Sequence, residues 1–399
     1  MGSRVFVAGL GAITAIGNNV SECYKSLEGT KTGIGDILFL DTIHKGRIPS
    51  GEVKMNNQEL GVMGGISGDF SRTILLSLIA ANEAFSDSGI SKSKSLRVGL
   101  VSANTVGGMD KTEDFYPDFL KDFRKGKLRY VFDHECGSIS EMVADRLGIR
   151  RFITTMSTAC SSSANAIAYA ARLIKDDLLD VVISGGVDSL TRYTLNGFNS
   201  LMILDRGLCR PFDDDRQGLN LGEGSAYIVL VSEAVAKNSA HTPYCELKGY
   251  NNSNDAFHPT ASSSDGTGPY LAMKGSLERS GLQPQDIDYI NLHGTGTANN
   301  DSAEAKAILK LFGPNYPPSS STKTYTGHTL GACGAIEAVF SILAIKYGVV
   351  YPNLRFQTPM KEIPFLPVNE FLVNKGINNA MTNSFGFGGN CTSLIFSKY

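Results

Sequence analysis

Cys160 is the residue whose setting best suits covalent chemistry. It lies in the run STACSSS (157–163), between a predicted strand and a predicted helix. A thiol at the N-terminus of a helix meets the positive end of the helix dipole and unpaired backbone N–H groups, and both favour the thiolate. The position therefore predicts a cysteine nucleophile. The other six cysteines are scattered without a Cys-x-x-Cys pair, so core packing is their expected role, and neither a disulfide framework nor a structural zinc site is indicated.

Two of the six histidines occupy similar corners of the predicted fold. His293 follows a strand in the run NLHGTGT (291–297), and His328 lies in KTYTGHTLG (323–331), before a helix of small residues. Sites in open α/β sheets form at the carboxyl ends of strands, and glycines there let a substrate approach the backbone. We therefore expect both imidazoles to share one site with Cys160. The remaining histidines lack such settings and are interpreted as surface or structural residues: His44, His134, His241 and His258.

A glycine-rich loop near the C-terminus is the last candidate for the functional site. The run NSFGFGGN (383–390) follows a strand and combines two aromatic residues with three glycines. It fits either a tight hairpin or a loop that presents backbone N–H donors to an oxyanion, with Phe387 as an apolar gate. Gly9 and Gly11, after the first strand, lack the third glycine and the acidic residue of a dinucleotide-binding fingerprint, which excludes that reading.

Short apolar, β-branched runs alternate with segments of helical period, the pattern of an α/β protein with buried strands. Strands are predicted at Val5–Ala8, Arg97–Ser102, Phe152–Thr155, Val181–Ser184, Tyr227–Val231, Tyr289–Leu292 and Leu394–Phe396. Helices are predicted at Ser71–Ser86, Ser162–Lys175, Pro269–Ser280, Ser302–Leu311 and Ala335–Lys346. The softest boundary, at Lys237–Pro243, divides the chain into halves 1–240 and 241–399.

The sequence around Cys160 is similar in pattern to the sequence around His328. Residues 152–164 and 323–328 are each interpreted as a strand followed by a Gly/Ser/Thr-rich turn with one reactive side chain. A small-residue helix follows in both, at 164–174 and at 334–345. Such an internal repeat indicates a duplicated α/β unit whose two halves each contribute reactive residues to one shared site.

The composition of the chain argues against several classes of protein. Lys and Arg number 37 against 39 Asp and Glu, a net charge of −2, which argues against a general nucleic-acid binder. The longest apolar stretch, Ala332–Ile345, is interrupted by Glu337 and Ser341 and falls short of a membrane span, so none is expected. The N-terminus enters a strand without the sections of a signal peptide, and we expect a cytoplasmic protein.

Four ordered motifs resemble those of the β-ketoacyl-(acyl carrier protein) synthases, most closely the elongating type II enzymes. They are TACSS (158–162), HGTGT (293–297), KTxTGH (323–328) and NSFGFGG (383–389), with RPFD (210–213) and GEG (222–224) in addition. The resemblance covers essentially the whole chain. It implies a thiolase-like fold of two related α/β halves in five αβαβα layers, with the nucleophile in 1–240 and the histidine pair in 241–399. It also implies a homodimer, with a heterodimer as the alternative.

The resemblance implies roles for the candidate residues. Cys160 resembles the nucleophile that takes an acyl chain from acyl carrier protein, and His293 and His328 resemble the pair that binds malonyl thioester and favours loss of carbon dioxide. Lys323 resembles the residue that orients His293. The implied oxyanion hole and acyl gate comprise Cys160, Phe385 and Phe387, and the implied supporting residues are Glu337 and Asp301.

The implied activity is an acyltransferase reaction. It is decarboxylative Claisen condensation of the Cys160-bound acyl chain with malonyl-acyl carrier protein, which extends the chain by two carbons in fatty-acid biosynthesis. The thiolate is a good nucleophile and a good leaving group, and decarboxylation itself generates the carbanion. No cofactor or metal is therefore expected, and the substrates arrive on the phosphopantetheine of the carrier protein.

Three alternatives stay open. A thiolase shares the implied fold and nucleophile, with Cys391 near the C-terminal loop, but the histidine pair and Lys323 argue against it. A silent chain-length partner subunit typically lacks the cysteine that is present here. A ketosynthase of a specialised polyketide or aryl-polyene pathway is the main alternative, because Asn390, Met202 and Asp110 depart from the fatty-acid pattern.

Overall fold

Ten strands form one mixed sheet in the computed structural model, which describes residues 4–90 and 96–399. Those of the first half of the chain are β1 (Val5–Thr14), β2 (Val98–Ala103), β3 (Phe152–Met156), β4 (Val181–Asp188) and β5 (Gly224–Ser232). Those of the second half are β6 (Cys245–Asn254), β7 (Tyr289–Asn291), β8 (Ser319–Ser320), β9 (Asn379–Phe385) and β10 (Asn390–Ser397).

Thirteen α-helices connect and cover these strands in the described ranges. The first nine are α1 (Val20–Glu28), α2 (Asn57–Met63), α3 (Arg72–Asp87), α4 (Met109–Lys121), α5 (Arg129–Phe132), α6 (Cys136–Leu147), α7 (Ser162–Lys175), α8 (Arg192–Ser200) and α9 (Glu233–Asn238). The last four are α10 (Thr267–Ser280), α11 (Ala298–Phe312), α12 (Lys323–Thr326) and α13 (Cys333–Tyr347).

The strand order shows that the fold is duplicated. Along the sheet it runs β3-β2-β4-β5-β1-β6-β10-β9-β7-β8. In the first half β2 is parallel to β3 and β4, and β5 is antiparallel to β4 and β1. In the second half β7 is parallel to β8 and β9, and β10 is antiparallel to β9 and β6. The two halves thus repeat one order and one set of directions, and they join where β1 pairs with β6.

The helices complete five layers. α7 and α13 pack on each other between the two halves of the sheet, because their small and apolar residues let the helices and both halves of the sheet approach closely. α3 and α6 cover one outer face, and α10 and α11 cover the other. The duplicated αβαβα architecture that the thiolase-like resemblance predicts is confirmed.

The central helix is apolar on all sides. Leu330–Tyr347 is long and apolar enough to cross a membrane by length and composition, which the shorter stretch considered in the sequence is not, but 89% of it is buried inside the fold. A helix that is hydrophobic all round is expected in the central layer of a five-layer fold. Its composition is therefore explained by core packing.

All seven predicted strands and five predicted helices are present, with some ends shifted by several residues. One interpretation is wrong: Lys323–Thr326 is the helical turn α12 and not a strand, and the strand before it, β8, ends at Ser320. The Gly327 N–H closes that turn onto the Lys323 carbonyl oxygen at 2.9 Å. The division at residue 240 stays a prediction, and it falls between α9 and β6.

Candidate active site

The three reactive side chains meet at the carboxyl ends of the parallel strands. Cys160 follows β3, His293 follows β7, and His328 follows β8 and α12. The Cys160 Sγ and one nitrogen of each imidazole lie within 4.8 Å of one another, and all three residues are buried. The two imidazole rings are perpendicular, with centroids 5.5 Å apart. The structure therefore places the predicted nucleophile and both predicted histidines in one site.

Cys160 lies on a strained turn between β3 and α7. The preceding Ala159 has φ +51°, a left-handed conformation that costs free energy for any residue except glycine. The Ser162 hydroxyl holds the turn, since it accepts from the Thr158 N–H at 2.7 Å and donates to the Ala159 carbonyl oxygen at 2.6 Å. The turn thus projects the thiol from the N-terminus of α7.

The environment of Cys160 keeps the resting thiol protonated. Burial raises its pKa to about 11, which outweighs the opposing effects of the Lys323 charge and of the N–H groups of Phe387 and Cys160 itself. The helix N-terminus lowers the pKa of the thiol, as its sequence position indicates, but burial has the larger effect. Those N–H groups nevertheless face the sulfur, where charge would develop on an attached thioester oxygen.

The glycine-rich loop packs directly on the Cys160 turn. A Cβ at Gly386 would lie 3.0 Å from the Thr158 carbonyl oxygen and 3.1 Å from the Cys160 nitrogen, so only glycine fits without a shift. This close approach brings the Phe387 N–H to the thiol. The predicted pairing of the Cys160 and Phe387 backbones in one oxyanion hole has the required proximity.

Lys323 and Glu337 fix the state of His293. The Lys323 ammonium lies 3.1 Å from His293 Nδ1 and forms a buried ion pair with the Glu337 carboxylate. Burial works to lower the pKa of Lys323, but the Glu337 carboxylate outweighs it and raises the pKa, so the group stays charged. An ammonium can only donate, hence His293 Nδ1 accepts and the proton of the neutral ring resides on Nε2.

A backbone N–H group gives His328 the same protonation state, a neutral ring with its proton on Nε2. Its Nδ1 accepts the Leu330 N–H at 3.0 Å, which places the ring proton on Nε2. The pKa values of His328 and His293 both lie well below 6.5, first because of burial and then because of the Lys323 charge. Two neutral imidazoles therefore hold Nε2–H donors in the same site as the thiol.

Two acidic residues on α11 hold the His293 loop. Asp301, predicted as a supporting residue, accepts from the Thr295, Gly296 and Phe212 N–H groups and lies behind the loop rather than in the cavity. Glu304, which the sequence analysis missed, accepts from the N–H of His293 at 2.9 Å. Its signal was available, because residues three apart share one face of a helix.

The aromatic residues line the cavity on two sides. Phe385 is buried with its ring centroid 5.7 Å from that of His293, and Phe387 stacks on Phe198 at 5.9 Å. Together with Ile203 and Leu219 they give the cavity beside Cys160 an apolar wall. Thr295 and Thr297 also line the cavity, and their hydroxyls are hydrogen-bonded to each other at 2.8 Å. The shape suits a ligand with an apolar chain and a polar arm.

The same three residues have the composition of a zinc site, but their protonation does not suit one. Cys and His are common zinc ligands, and a metal needs the lone pair of an unprotonated ring nitrogen. In both histidines Nδ1 already accepts a hydrogen bond, so Nε2 carries the proton. The arrangement is suited to donate two hydrogen bonds to an oxygen that gains negative charge.

Comparison with known families agrees with this geometry. The family model described as beta-ketoacyl synthase, N-terminal domain, matches residues 2–236, and the one described as beta-ketoacyl synthase, C-terminal domain, matches residues 244–357. The chain belongs to the beta-ketoacyl synthase family. The predicted resemblance is thereby confirmed, and the protein is an acyltransferase of that family.

Individual relatives cover the full length of this beta-ketoacyl synthase. The 3-oxoacyl-[acyl-carrier-protein] synthase 2 of Staphylococcus aureus (strain COL) is 32% identical over 99% of this chain and 98% of its own. A solved structure described as the ishigamide ketosynthase/chain length factor has a TM-score of 0.94 and 28% identity, over 100% of both chains. The ketosynthase ApeO in complex with its chain length factor ApeC, from Xenorhabdus doucetiae, has a TM-score of 0.86 and 31% identity over 100% of this chain and 98% of that one.

Proposed function

We propose that the protein condenses an acyl chain held on Cys160 with a malonyl thioester, with loss of carbon dioxide. One observation carries this proposal: a buried thiol and two neutral imidazoles, each with its proton on Nε2, lie within 4.8 Å of one another. Acyl transfer needs the first group, and stabilisation of an enolate oxygen needs the other two.

The first half-reaction loads the enzyme. The Cys160 sulfur attacks the carbonyl carbon of an acyl thioester, the bond to the carrier thiol breaks, and the proton of Cys160 passes to that departing thiolate. The N–H groups of Cys160 and Phe387, which face the sulfur, stabilise the oxyanion of the tetrahedral intermediate. Because the thiol proton is exchanged rather than lost to solvent, a pKa of about 11 does not prevent loading.

The second half-reaction forms the carbon–carbon bond. The malonyl thioester carbonyl accepts from the Nε2–H groups of His293 and His328, the carboxylate leaves as carbon dioxide, and its bonding pair forms the enolate. The enolate carbon attacks the acyl carbonyl, the bond to sulfur breaks, and the departing Cys160 thiolate takes a proton from solvent. No step uses a metal or a redox cofactor, and we propose that none is required.

The substrates we propose are acyl and malonyl groups on acyl carrier protein, used in fatty-acid biosynthesis in the cytoplasm. The full-length relative named 3-oxoacyl-[acyl-carrier-protein] synthase 2 supports this choice. A ketosynthase of a specialised pathway is the second candidate, supported by the two neighbours described with chain length factors. Met202, which departs from the fatty-acid pattern, is 89% exposed and so is available to contact a carrier protein.

The test measures products with carrier-bound substrates. The wild-type protein, given acyl- and malonyl-acyl carrier protein, is expected to release a 3-oxoacyl product two carbons longer, whereas Cys160→Ala forms none. Cys391→Ala, at a second buried cysteine near the same loop, is the matched control and keeps the activity. Condensation by Cys160→Ala would refute the proposal, and a preference for polyunsaturated or aryl chains over saturated ones would select the specialised pathway.

We propose further that the enzyme works as a dimer, with a second copy of this chain. Strand β3 forms an edge of the sheet, and no strand within residues 4–90 and 96–399 pairs with its outer side. Helices α4 and α5 and the segment between them expose a group of large apolar side chains, which we call the α4–α5 patch: Tyr116, Phe119, Leu120, Phe123, Leu128 and Phe132. Contiguous exposed apolar surface marks interaction sites.

Light scattering of the purified protein tests the dimer. The expected mass is twice 42.8 kDa, and Leu128→Asp/Phe132→Asp is expected to reduce it to one chain. Val62→Asp, at an exposed apolar residue outside the patch, is the control that leaves the dimer intact. A wild-type monomer would contradict the homodimer, and dimerisation only with a co-expressed partner of the same fold would establish a heterodimer.

A further inference from the structure

Asp188, which the reaction above does not use, ties the two halves of the fold together beside the site. It is the last residue of β4 and is fully buried. Its Oδ1 accepts from the N–H groups of Thr105 at 2.8 Å and Val106 at 2.9 Å. Its Oδ2 accepts from the Thr105 hydroxyl at 2.6 Å and from the Gly331 N–H, in the other half, at 2.7 Å.

Gly331, which donates to Asp188, directly follows Leu330, whose N–H orients the His328 ring. The Leu330 N–H donates to His328 Nδ1, and Leu330 has φ +52°, a conformation that a non-glycine residue adopts only when its surroundings enforce it. The hydrogen bond from Gly331 to Asp188 anchors the following peptide. The backbone of His328 itself is held separately, by its N–H to the Asn220 carbonyl oxygen at 2.8 Å.

The charge of Asp188 has no ionic partner in the described ranges; its four donors are all neutral. Keeping a carboxylate buried among neutral groups costs free energy, and an amide cannot replace it here. Each carboxylate oxygen accepts from a backbone N–H, so the NH₂ group of an asparagine would face a donor in either orientation. The position requires a group that accepts at both oxygens.

We infer that Asp188 is a positioning residue for His328: through Gly331 it holds the Leu330 N–H on His328 Nδ1 and so keeps the ring proton on Nε2, where the malonyl carbonyl binds. The inference rests on the proposed function. A residue of the first half of the chain would then contribute to malonyl decarboxylation, although the two hydrogen-bond donors for that step, His293 and His328, belong to the second half.

The experiment compares Asp188→Asn with the wild type in both half-reactions. Release of carbon dioxide from malonyl-acyl carrier protein is expected to fall about tenfold to a hundredfold, the effect of weakening one of two donors. Acyl loading of Cys160, followed by intact mass, stays within about threefold. Long-range ¹H–¹⁵N spectra of ¹⁵N-histidine-labelled protein, with His328→Gln for assignment, should show that His328 loses its pure Nε2–H form.

Glu83→Gln is the matched control, because that carboxylate also accepts two backbone N–H groups, from Ala12 and Val20, on the outer face of the fold. It should change neither half-reaction. If Asp188→Asn does not fold, Gly331→Ala replaces it, since the added Cβ would lie 2.9 Å from Asp188 Oδ2 and displace the N–H. The same split between half-reactions is then expected.

The inference is overturned if the variant releases carbon dioxide as fast as the wild type with an unchanged His328 spectrum, or if loading falls as much as decarboxylation. Failure of the proposed function looks different, because then the wild type itself neither loads Cys160 nor decarboxylates malonyl thioester. The His328 spectrum still tests the role of Asp188 in that case.

Discussion

Lys323 and Glu337 show how one buried charge pair sets the chemistry of a neighbour. Lys323 can orient His293 only as an ammonium, and burial disfavours an ammonium unless a carboxylate accompanies it. Glu337 supplies that carboxylate from α13, fourteen residues later in the chain. The pair is therefore a condition for the Nε2–H form of His293 and not an independent stabilising feature.

Lys323→Ala is expected to separate stability from activity. It should slow malonyl decarboxylation by about a hundredfold because His293 loses the donor that fixes its ring. It should also lower the free energy of unfolding by about 3–5 kcal/mol because Glu337 is left buried without a partner. In Lys323→Ala/Glu337→Gln, thermal unfolding should recover most of this loss while decarboxylation stays slow. Recovery of both would show that Lys323 acts only on stability.

The protonation of Cys160 gives a pH-dependent prediction. Burial raises its pKa from 9.0 to about 11, so the thiolate fraction should grow about tenfold for each pH unit up to that value. The rate of alkylation of Cys160 by iodoacetamide, followed by mass spectrometry of its peptide, should therefore still rise between pH 9 and pH 10. A plateau at or below pH 8.5 would show that the helix N-terminus prevails over burial.

At the scale of elements, the turns that carry the site were easier to predict than the strands that support them. The motifs around Cys160, His293 and Phe387 are short and local, so their residue types reveal them. Strand β6 was missed because its sequence, CELKGYNNSN, is polar. Its Asn252 is satisfied across the sheet by Asn390, at 2.7 Å, and only the paired strand β10 makes that arrangement favourable.

The same limit explains two other differences. Lys323–Thr326 has the β-branched threonines of a strand, yet the tertiary position of Lys323 beneath His293 requires a helical turn. Glu304 shares a helix face with Asp301, but that spacing does not reveal that it accepts backbone N–H groups from a loop that only the fold brings near. Residue types revealed the reactive groups, whereas Lys323, Glu337 and Asp301 were predicted only through the family resemblance, because their contacts are long-range.

Gly386 tests the contact between two elements. Gly386→Ala is expected to slow acyl loading about tenfold or more, because the Cβ must displace the Thr158 and Cys160 backbone and with it the oxyanion donors. Gly137→Ala, in helix α6 with open space around its Cα, is the control. It should keep full activity and gain about 0.5–1 kcal/mol of stability. Equal loading by both variants, measured by intact mass, would argue against the packed oxyanion hole.

At the scale of the molecule, the two halves share one core and one site. The central cluster contains residues of α7 and strands from the first half together with α13 and strands from the second. Each half alone would expose that apolar surface to water. The duplicated fold therefore explains why nucleophile and enolate donors come from different halves: the equivalent turns before α7 and α13 face each other.

Separate expression of residues 1–240 and 241–399 tests this shared core. Each fragment alone is expected to bind the dye ANS strongly and to lack a cooperative thermal transition, because its share of the central layer is uncovered. Co-expression should restore a cooperative transition and condensation. An N-terminal fragment that unfolds cooperatively with low ANS binding would show that the halves are independent domains.

The division of labour between Cys160 and the histidine pair is most directly tested by measuring both half-reactions in parallel. His328→Ala should load an acyl chain onto Cys160 within about threefold of the wild-type rate and release carbon dioxide from malonyl-acyl carrier protein at least about a hundredfold more slowly. Cys160→Ala should show no loading and retain release of carbon dioxide. If either variant loses both half-reactions equally while remaining folded, the two groups do not perform separate steps.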